Sequence, residues 1–163
     1  MNGVSVRTVP TPSAVPLPPT AGAARGWYMD LSLNPGERVV ADPEIESGGG
    51  VVFTTYQPNT STCSGGGNAW LMVLNFTSGA AFPLPELDVN GDATINRSDL
   101  PASGNVPVGM LLGAGYASTP TLLPSGGAQG GTNKLTALSN VGVKTVLDRG
   151  RAKERISWWE VRH

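Results

Sequence analysis

The chain has 163 residues, enough for one domain with a modest core, and its 22 glycines and 14 prolines against 14% charged residues favour turns and strands over helices. A formal net charge of −1 excludes an overall field that would attract nucleic acid or an anionic membrane surface. Apolar runs stay well short of the roughly 20 residues that cross a bilayer, so the sequence predicts no transmembrane segment.

The N-terminal segment, residues 1–26, is rich in proline and shows no hydrophobic periodicity. Proline removes a backbone donor, so this segment is predicted to be an extended arm or linker and not a helix or a central strand. From Trp27 onward, short runs rich in aromatic and β-branched residues end at Gly, Pro or Asn, which is typical of strands. These runs predict strands over residues 27–33, 37–42, 50–56 and 69–75, with a hairpin turn at residues 47–50.

The second half of the chain begins with a polar loop at residues 88–99 and a glycine-rich stretch at 101–116, in which no strand is predicted. Further strands are predicted over residues 117–124, 133–139, 142–148 and 156–161. The two groups of short strands predict an all-β fold and look like blades of a β-propeller, which take about 40 to 50 residues each. A small β-sandwich would produce a similar pattern.

The loop from Asp88 to Asp99 carries oxygen-bearing side chains at the spacing of a twelve-residue calcium loop. Calcium prefers oxygen ligands, and alternate residues of a coiled loop can converge on it while one residue lends its backbone carbonyl. Crowded carboxylates also repel one another unless a cation neutralises them. The predicted calcium ligands are Asp88, Asn90, Asp92, Thr94 through its carbonyl, Asn96 and Asp99.

Two residues of this loop depart from the common pattern. Ala93 stands where such loops use Gly for a sharp turn, and Asp99 stands where they use Glu. A solvated loop of Asx turns remains the alternative interpretation, since turns also favour Asn, Asp and Gly. The residue pattern of this loop resembles that of dockerin loops. A dockerin pairs two such loops with helices, whereas this sequence contains one such loop.

Catalytic chemistry finds little support in the sequence. Cys63 is the sole cysteine and has no base nearby, and His163, the sole histidine, is the last residue, so the chain is predicted to be non-enzymatic. Aromatic residues could form a platform for carbohydrate, but packing in the core is their commoner role. These residues are Trp27, Tyr28, Trp70, Trp158 and Trp159.

Several sequence phrases occur in an order that resembles one family. They are GWYMDLSL at 26–33, GERV at 36–39, VVFTT at 51–55, a P-x-x-x-x-C segment ending at Cys63, WLMVL at 70–74, the aspartate-rich loop, ASTPTLLP at 117–124 and RISWWEV at 155–161. In this order, residues 26–163 resemble the C-terminal propeller of the PilY family of type IV pilus assembly and tip proteins.

The resemblance implies that residues 27–163 form part of a quinoprotein-like β-propeller, about two blades with an inserted EF-hand-like or dockerin-like calcium loop. It implies an extracytoplasmic place at the bacterial cell surface, at the pilus tip or associated with the outer membrane. The implied partners are the remaining blades of a parent protein, minor pilins or other pilus subunits, and a host surface ligand. The predicted function is a calcium-binding segment that acts in pilus assembly, in control of extension and retraction, and in adhesion. The alternative is a stand-alone carbohydrate- or protein-binding β-domain with a structural calcium site.

Overall fold

A computed structural model describes residues 4–9, 26–46, 48–60, 66–123, 133–139 and 142–148 of the chain. Within these ranges the regular structure consists of strands and one short 3-10 helix, Arg97–Asp99, so the all-β class is confirmed for the described residues. The strands are β1 (Val6–Arg7), β2 (Arg38–Val39), β3 (Glu44–Ile45), β4 (Gly50–Pro58), β5 (Gly67–Asn75), β6 (Gly109–Ala114), β7 (Thr121–Leu123), β8 (Asn133–Ser139) and β9 (Gly142–Asp148). In the described part of the chain, no helix has the length and apolar character that crossing a membrane would require.

The strands form two antiparallel sheets. The larger sheet has six strands in the order β1-β6-β5-β4-β2, and β3 also pairs with β4. The smaller sheet has three strands in the order β7-β8-β9. The candidate site described below is connected to the larger sheet.

The larger sheet buries side chains on both of its faces around the β4–β5 hairpin. Successive side chains of a strand point to opposite faces, so the unbroken apolar run in β5 supplies both cores. The first core lies on one face and consists of Val52, Leu71, Val73, Phe82, Leu87 and Met110. The second core lies on the other face and consists of Phe53, Met72, Leu74 and Val108.

Strong local patterns identify several strands correctly. The predicted strands at 50–56 and 69–75 are confirmed as β4 and β5, and those at 133–139 and 142–148 as β8 and β9. The hairpin turn before β4 is also confirmed: the Gly49 N–H donates to the Glu46 carbonyl at 3.0 Å, and Gly49 has a φ of 81°, which glycine adopts readily. The predicted strand at 156–161 lies outside the described residues.

Two predicted strands at the start of the domain are wrong or too long. Residues 27–33 form no strand, and residues 37–42 contain only the two residues of β2. Trp27 and Met29 pack on the second core, so the side chains of this segment do alternate between half-buried and exposed positions. It reflects packing across a sheet face, because among the described residues this segment has no backbone partner.

Strand β6 was not predicted, because glycines at both of its ends suggested a loop. Gly109 lies where β6 crosses Met72 of β5: a Cβ at this position would stand 2.5 Å from the Met72 sulfur. The register between β5 and β6 also shifts between Ala69 and Trp70, which marks a bulge. Glycine here leaves room for the Met72 side chain and does not end a strand.

Candidate functional site

The loop at residues 88–99, called the acidic loop below, begins at the first core and ends at a buried carboxylate. Leu87 is fully buried in that core and Val89 packs against it. At the other end, Asp99 is also fully buried. The loop is therefore attached to the larger sheet, while its central residues, including Asp92 and Ala93, are exposed.

The first half of the acidic loop coils around its own side chains. The Asp88 carboxylate accepts from the backbone N–H of Gly91 at 2.7 Å and of Ala93 at 2.9 Å. The Asn90 side-chain oxygen accepts from the Asp92 N–H at 2.9 Å, and the Asp92 carboxylate accepts from the Thr94 N–H at 2.8 Å. The Asn90 and Asp92 bonds are successive Asx turns, in which a short side chain reaches the backbone two residues further on, while Asp88 reaches three and five residues further.

The second half is closed by a capped 3-10 helix. Asn96 is the N-cap residue, and its side-chain oxygen accepts from the Ser98 N–H at 2.7 Å. Asp99 completes a capping box by accepting from the Asn96 N–H at 2.9 Å. Its other oxygen accepts from the Val89 N–H at 2.9 Å, so Asp99 joins the beginning of the loop to its end.

Ala93 adopts the left-handed backbone conformation that calcium loops assign to glycine at this position. Its φ is 64°, and it is the one non-glycine residue with positive φ among those that the structure describes. A Cβ in this conformation costs on the order of 1–2 kcal/mol. The expected sharp turn is therefore present, with alanine under backbone strain.

Replacing Ala93 with glycine is expected to raise the free energy of unfolding by about 0.5–1 kcal/mol, since relief of strain exceeds the entropy that glycine adds to the unfolded chain. Urea denaturation measures the change. The control is Ala102→Gly, at an exposed alanine without positive φ, which is expected to lose about 0.4–1 kcal/mol. If both variants lose the same free energy of unfolding, the prediction that Ala93 is strained is wrong.

The six predicted ligands occupy one coiled loop, but their carboxylates do not form a preassembled cluster. Across the described ranges, no three Asp, Glu, His or Cys side chains come together as a group that could hold a metal ion. Asp99 instead faces the backbone N–H groups of Val89, Asn90 and Asn96. Calcium binding therefore stays a prediction.

The chemistry of the donor set nevertheless fits calcium. All the predicted donors are carboxylate, amide or carbonyl oxygens, the mixture that this hard cation takes. Ser98, which the calcium spacing does not assign as a ligand, adds a hydroxyl: it accepts from Asn90 Nδ2 at 2.8 Å and donates to Asp92 at 3.4 Å. Only the coiled path of the chain reveals that Ser98 lies beside these two residues.

A buried ion pair on the other face of the sheet is the second polar cluster. Arg7 donates from both terminal nitrogens to the two oxygens of Glu37, with the Nη2 bond at 2.8 Å, and its guanidinium carbon lies 3.8 Å from the centroid of the Trp70 ring. Thr55 and Asn34 donate to the same carboxylate at 2.6 and 3.3 Å. Burial alone would raise the pKa of Glu37, but the hydrogen bonds from Arg7, Thr55 and Asn34, with the Arg7 charge, lower it below its usual value.

The described residues thus define an all-β domain that carries a twelve-residue loop of Asx turns on one sheet face. One curated protein to which the chain is similar is the type IV pilus biogenesis factor PilY1 homolog of Xylella fastidiosa, with 46% identity over 61 residues. The match covers 34% of this chain and 4% of that protein, so the chain spans a small part of its relative's length. The chain therefore contains a PilY-related region. No family model and no solved structure matches it.

Proposed function

We propose that this chain is a calcium-binding part of a PilY-like protein that acts in type IV pilus biogenesis at the bacterial cell surface. The observation that carries the proposal is the 46% identity over 61 residues to the PilY1 homolog, whose name assigns it to pilus biogenesis. The finer roles proposed for the chain are pilus assembly, control of extension and retraction, and surface adhesion. Its proposed partners are pilus subunits, the rest of the parent protein and a host surface ligand.

We further propose that the larger sheet is part of a β-propeller. The support is its antiparallel pairing and its two apolar faces, because each blade of a propeller is packed between neighbours. In a sheet with only one buried face, apolar side chains would alternate with polar ones along each strand. Strand β5 instead buries consecutive residues from Leu71 to Leu74.

The proposed calcium site consists of Asp88, Asn90, Asp92, the Thr94 carbonyl, Asn96 and Asp99. When bound, calcium supplies positive charge that offsets the repulsion between the loop carboxylates. The chain itself fixes the path of the loop. The Asp88 and Asp99 carboxylates accept hydrogen bonds from backbone N–H groups, and Leu87 and Val89 attach the loop to the first core. Ordering the loop would then stabilise the adjacent sheet face, because a ligand that binds the folded state stabilises it.

The test begins with calorimetric titration of calcium into this chain and into an Asp88→Asn, Asp92→Asn double variant. Binding with a dissociation constant of about 10⁻⁶ to 10⁻³ M is expected for the unaltered chain, and no binding for the double variant. Asp42→Asn, which removes an exposed carboxylate outside the loop, is the control and should bind normally. If the unaltered chain gives no heat and no calcium-dependent rise in thermal midpoint, the calcium site is refuted.

The same substitutions are then introduced into the full-length gene in the bacterium that encodes it, and pili sheared from the surface are quantified. Deletion of residues 26–148 is expected to remove surface pili or twitching motility, provided that the parent protein is still produced at normal levels. The double variant is expected to change piliation in a calcium-dependent way, whereas Asp42→Asn is not. Normal pili and motility after the deletion would refute the pilus role without bearing on calcium binding.

A further inference from the structure

A cavity of about 470 Å³ lies between the end of β1 and the extended residues 27–33, a volume typical of ligand pockets. We call it the arm groove. Its apolar lining includes Val9, Trp27, Met29, Leu31 and Met72. The second core forms its floor, since Met72 belongs to that core and Val9, Trp27 and Met29 pack against it.

One wall of the arm groove is a strand-like segment that has no backbone partner among the residues that the structure describes. Side chains of residues 27–32 alternate between half-buried and exposed, as they do in a β-strand. No backbone hydrogen bond of this segment exists among the described residues. Such N–H and C=O groups are the ones with which an added strand from another molecule pairs.

The charges around the arm groove do not cancel. Arg7 and Glu37 line it but neutralise each other in the buried ion pair. Asp30 is exposed on the wall and has no ion-pair partner within the described ranges. The groove therefore offers an apolar slot, a line of backbone donors and acceptors, and one uncompensated negative charge.

We propose that the arm groove binds an extended peptide segment of a partner protein, with alternating apolar side chains and one Lys or Arg. The peptide adds a strand to residues 27–33, places apolar side chains against Met29 and Leu31, and pairs its basic group with Asp30. Main-chain hydrogen bonds provide affinity and the alternating side chains provide specificity, as in other cases of strand addition. The inference goes beyond the pilus role and does not depend on the calcium loop.

The experiment is selection of a displayed library of random heptapeptides on the full chain, followed by fluorescence polarisation with the synthesised hits. Enrichment of alternating apolar sequences with one basic residue is expected. Asp30→Lys should weaken binding about tenfold and Met29→Arg, which fills the slot, by at least as much. Asp42→Lys, at an exposed aspartate outside the groove lining, is the matched control and should leave binding unchanged.

A second measurement leaves the protein unaltered and methylates the peptide backbone nitrogens one at a time. Strand addition predicts losses of about fivefold to tenfold at alternate positions only, because alternate residues of a strand face the paired edge. The proposal is overturned if no peptide is enriched, if Met29→Arg and Asp30→Lys bind the hits normally, or if methylation has no alternating effect. Binding of glycans in the groove, blocked by Met29→Arg, would assign it to carbohydrate and would also overturn the proposal.

Discussion

Replacing Arg7 with methionine is expected to lower the free energy of unfolding by about 3–5 kcal/mol, because it leaves the Glu37 carboxylate buried without its charge partner. The side chains of Arg7 and Glu37 are 6% and 0% exposed. Thr55 and Asn34 still donate to the carboxylate in the variant, but neither carries charge. Urea denaturation followed by tryptophan fluorescence measures the loss.

Two further variants separate the buried charge from other effects of the substitution. Arg38→Met removes an exposed arginine whose Nε donates to the Gly36 carbonyl at 3.0 Å, and it should change stability by no more than about 0.5 kcal/mol. An Arg7→Met, Glu37→Leu double variant should recover most of the loss, since apolar replacement of both partners of a buried pair is often close to neutral. If Arg7→Met lowers the free energy of unfolding no more than Arg38→Met does, the Arg7–Glu37 pair contributes little to stability, contrary to the prediction.

The ion pair also predicts how stability depends on acid. Burial would raise the pKa of Glu37, but hydrogen bonds from Arg7, Thr55 and Asn34 outweigh burial and hold the folded-state pKa below its usual value. A carboxyl whose pKa falls on folding stabilises the protein fully above its unfolded pKa and loses that contribution as pH falls through the folded pKa. As the pH falls below 4.5, the usual pKa of a glutamate side chain, the unaltered chain should therefore lose more stability than the Arg7→Met, Glu37→Leu variant does.

The fold follows from the sequence where local pattern and tertiary packing agree. Strands β4 and β5 have β-branched and aromatic residues, are long, and were predicted within a few residues. Residues 27–33 have the same alternation, but Trp27 and Met29 pack over a sheet face, and only the structure reveals that the segment pairs with no strand in the described part of the chain. Strand β6 was missed for the opposite reason, since Gly109 marks close approach to Met72 and not a turn.

The candidate site was predictable to the extent that it is local. Side-chain spacing predicted a coiled loop with a sharp turn, and both the turn at Ala93 and the capping of the 3-10 helix by Asn96 lie within that window. Spacing could not predict that Asp99 would turn to the Val89 N–H. The Arg7–Glu37 pair joins residues 30 positions apart, and no local signal links them because β1 reaches the sheet through its pairing with β6.

Gly79→Ala is expected to lower the free energy of unfolding by about 2–5 kcal/mol, because the new side chain would displace Trp27 and the left-handed backbone would carry a Cβ. Gly79 has a φ of 67°, and an added Cβ would stand 2.4 Å from two atoms of the indole ring. The ring is also fixed by its N–H, which donates to the Phe76 carbonyl at 2.8 Å. Chemical denaturation measures the loss, and a red shift of tryptophan emission reports the displaced indole.

Gly104→Ala separates the clash with Trp27 from backbone strain. Gly104 has a φ of 74° with nothing within 4 Å of its added Cβ, so alanine there should cost only about 1–2 kcal/mol for the left-handed conformation. When Trp27 is replaced with alanine, the clash is absent. Gly79→Ala should then lower the free energy of unfolding by no more than Gly104→Ala does, because the effects of residues in contact are coupled. If the two glycine substitutions lower the free energy of unfolding of the otherwise unaltered chain equally, the Trp27 ring moves aside without loss of stability and the predicted clash is wrong. Because Trp27 also lines the arm groove, a genuine displacement by Gly79→Ala must weaken peptide binding there, whereas Gly104→Ala must not.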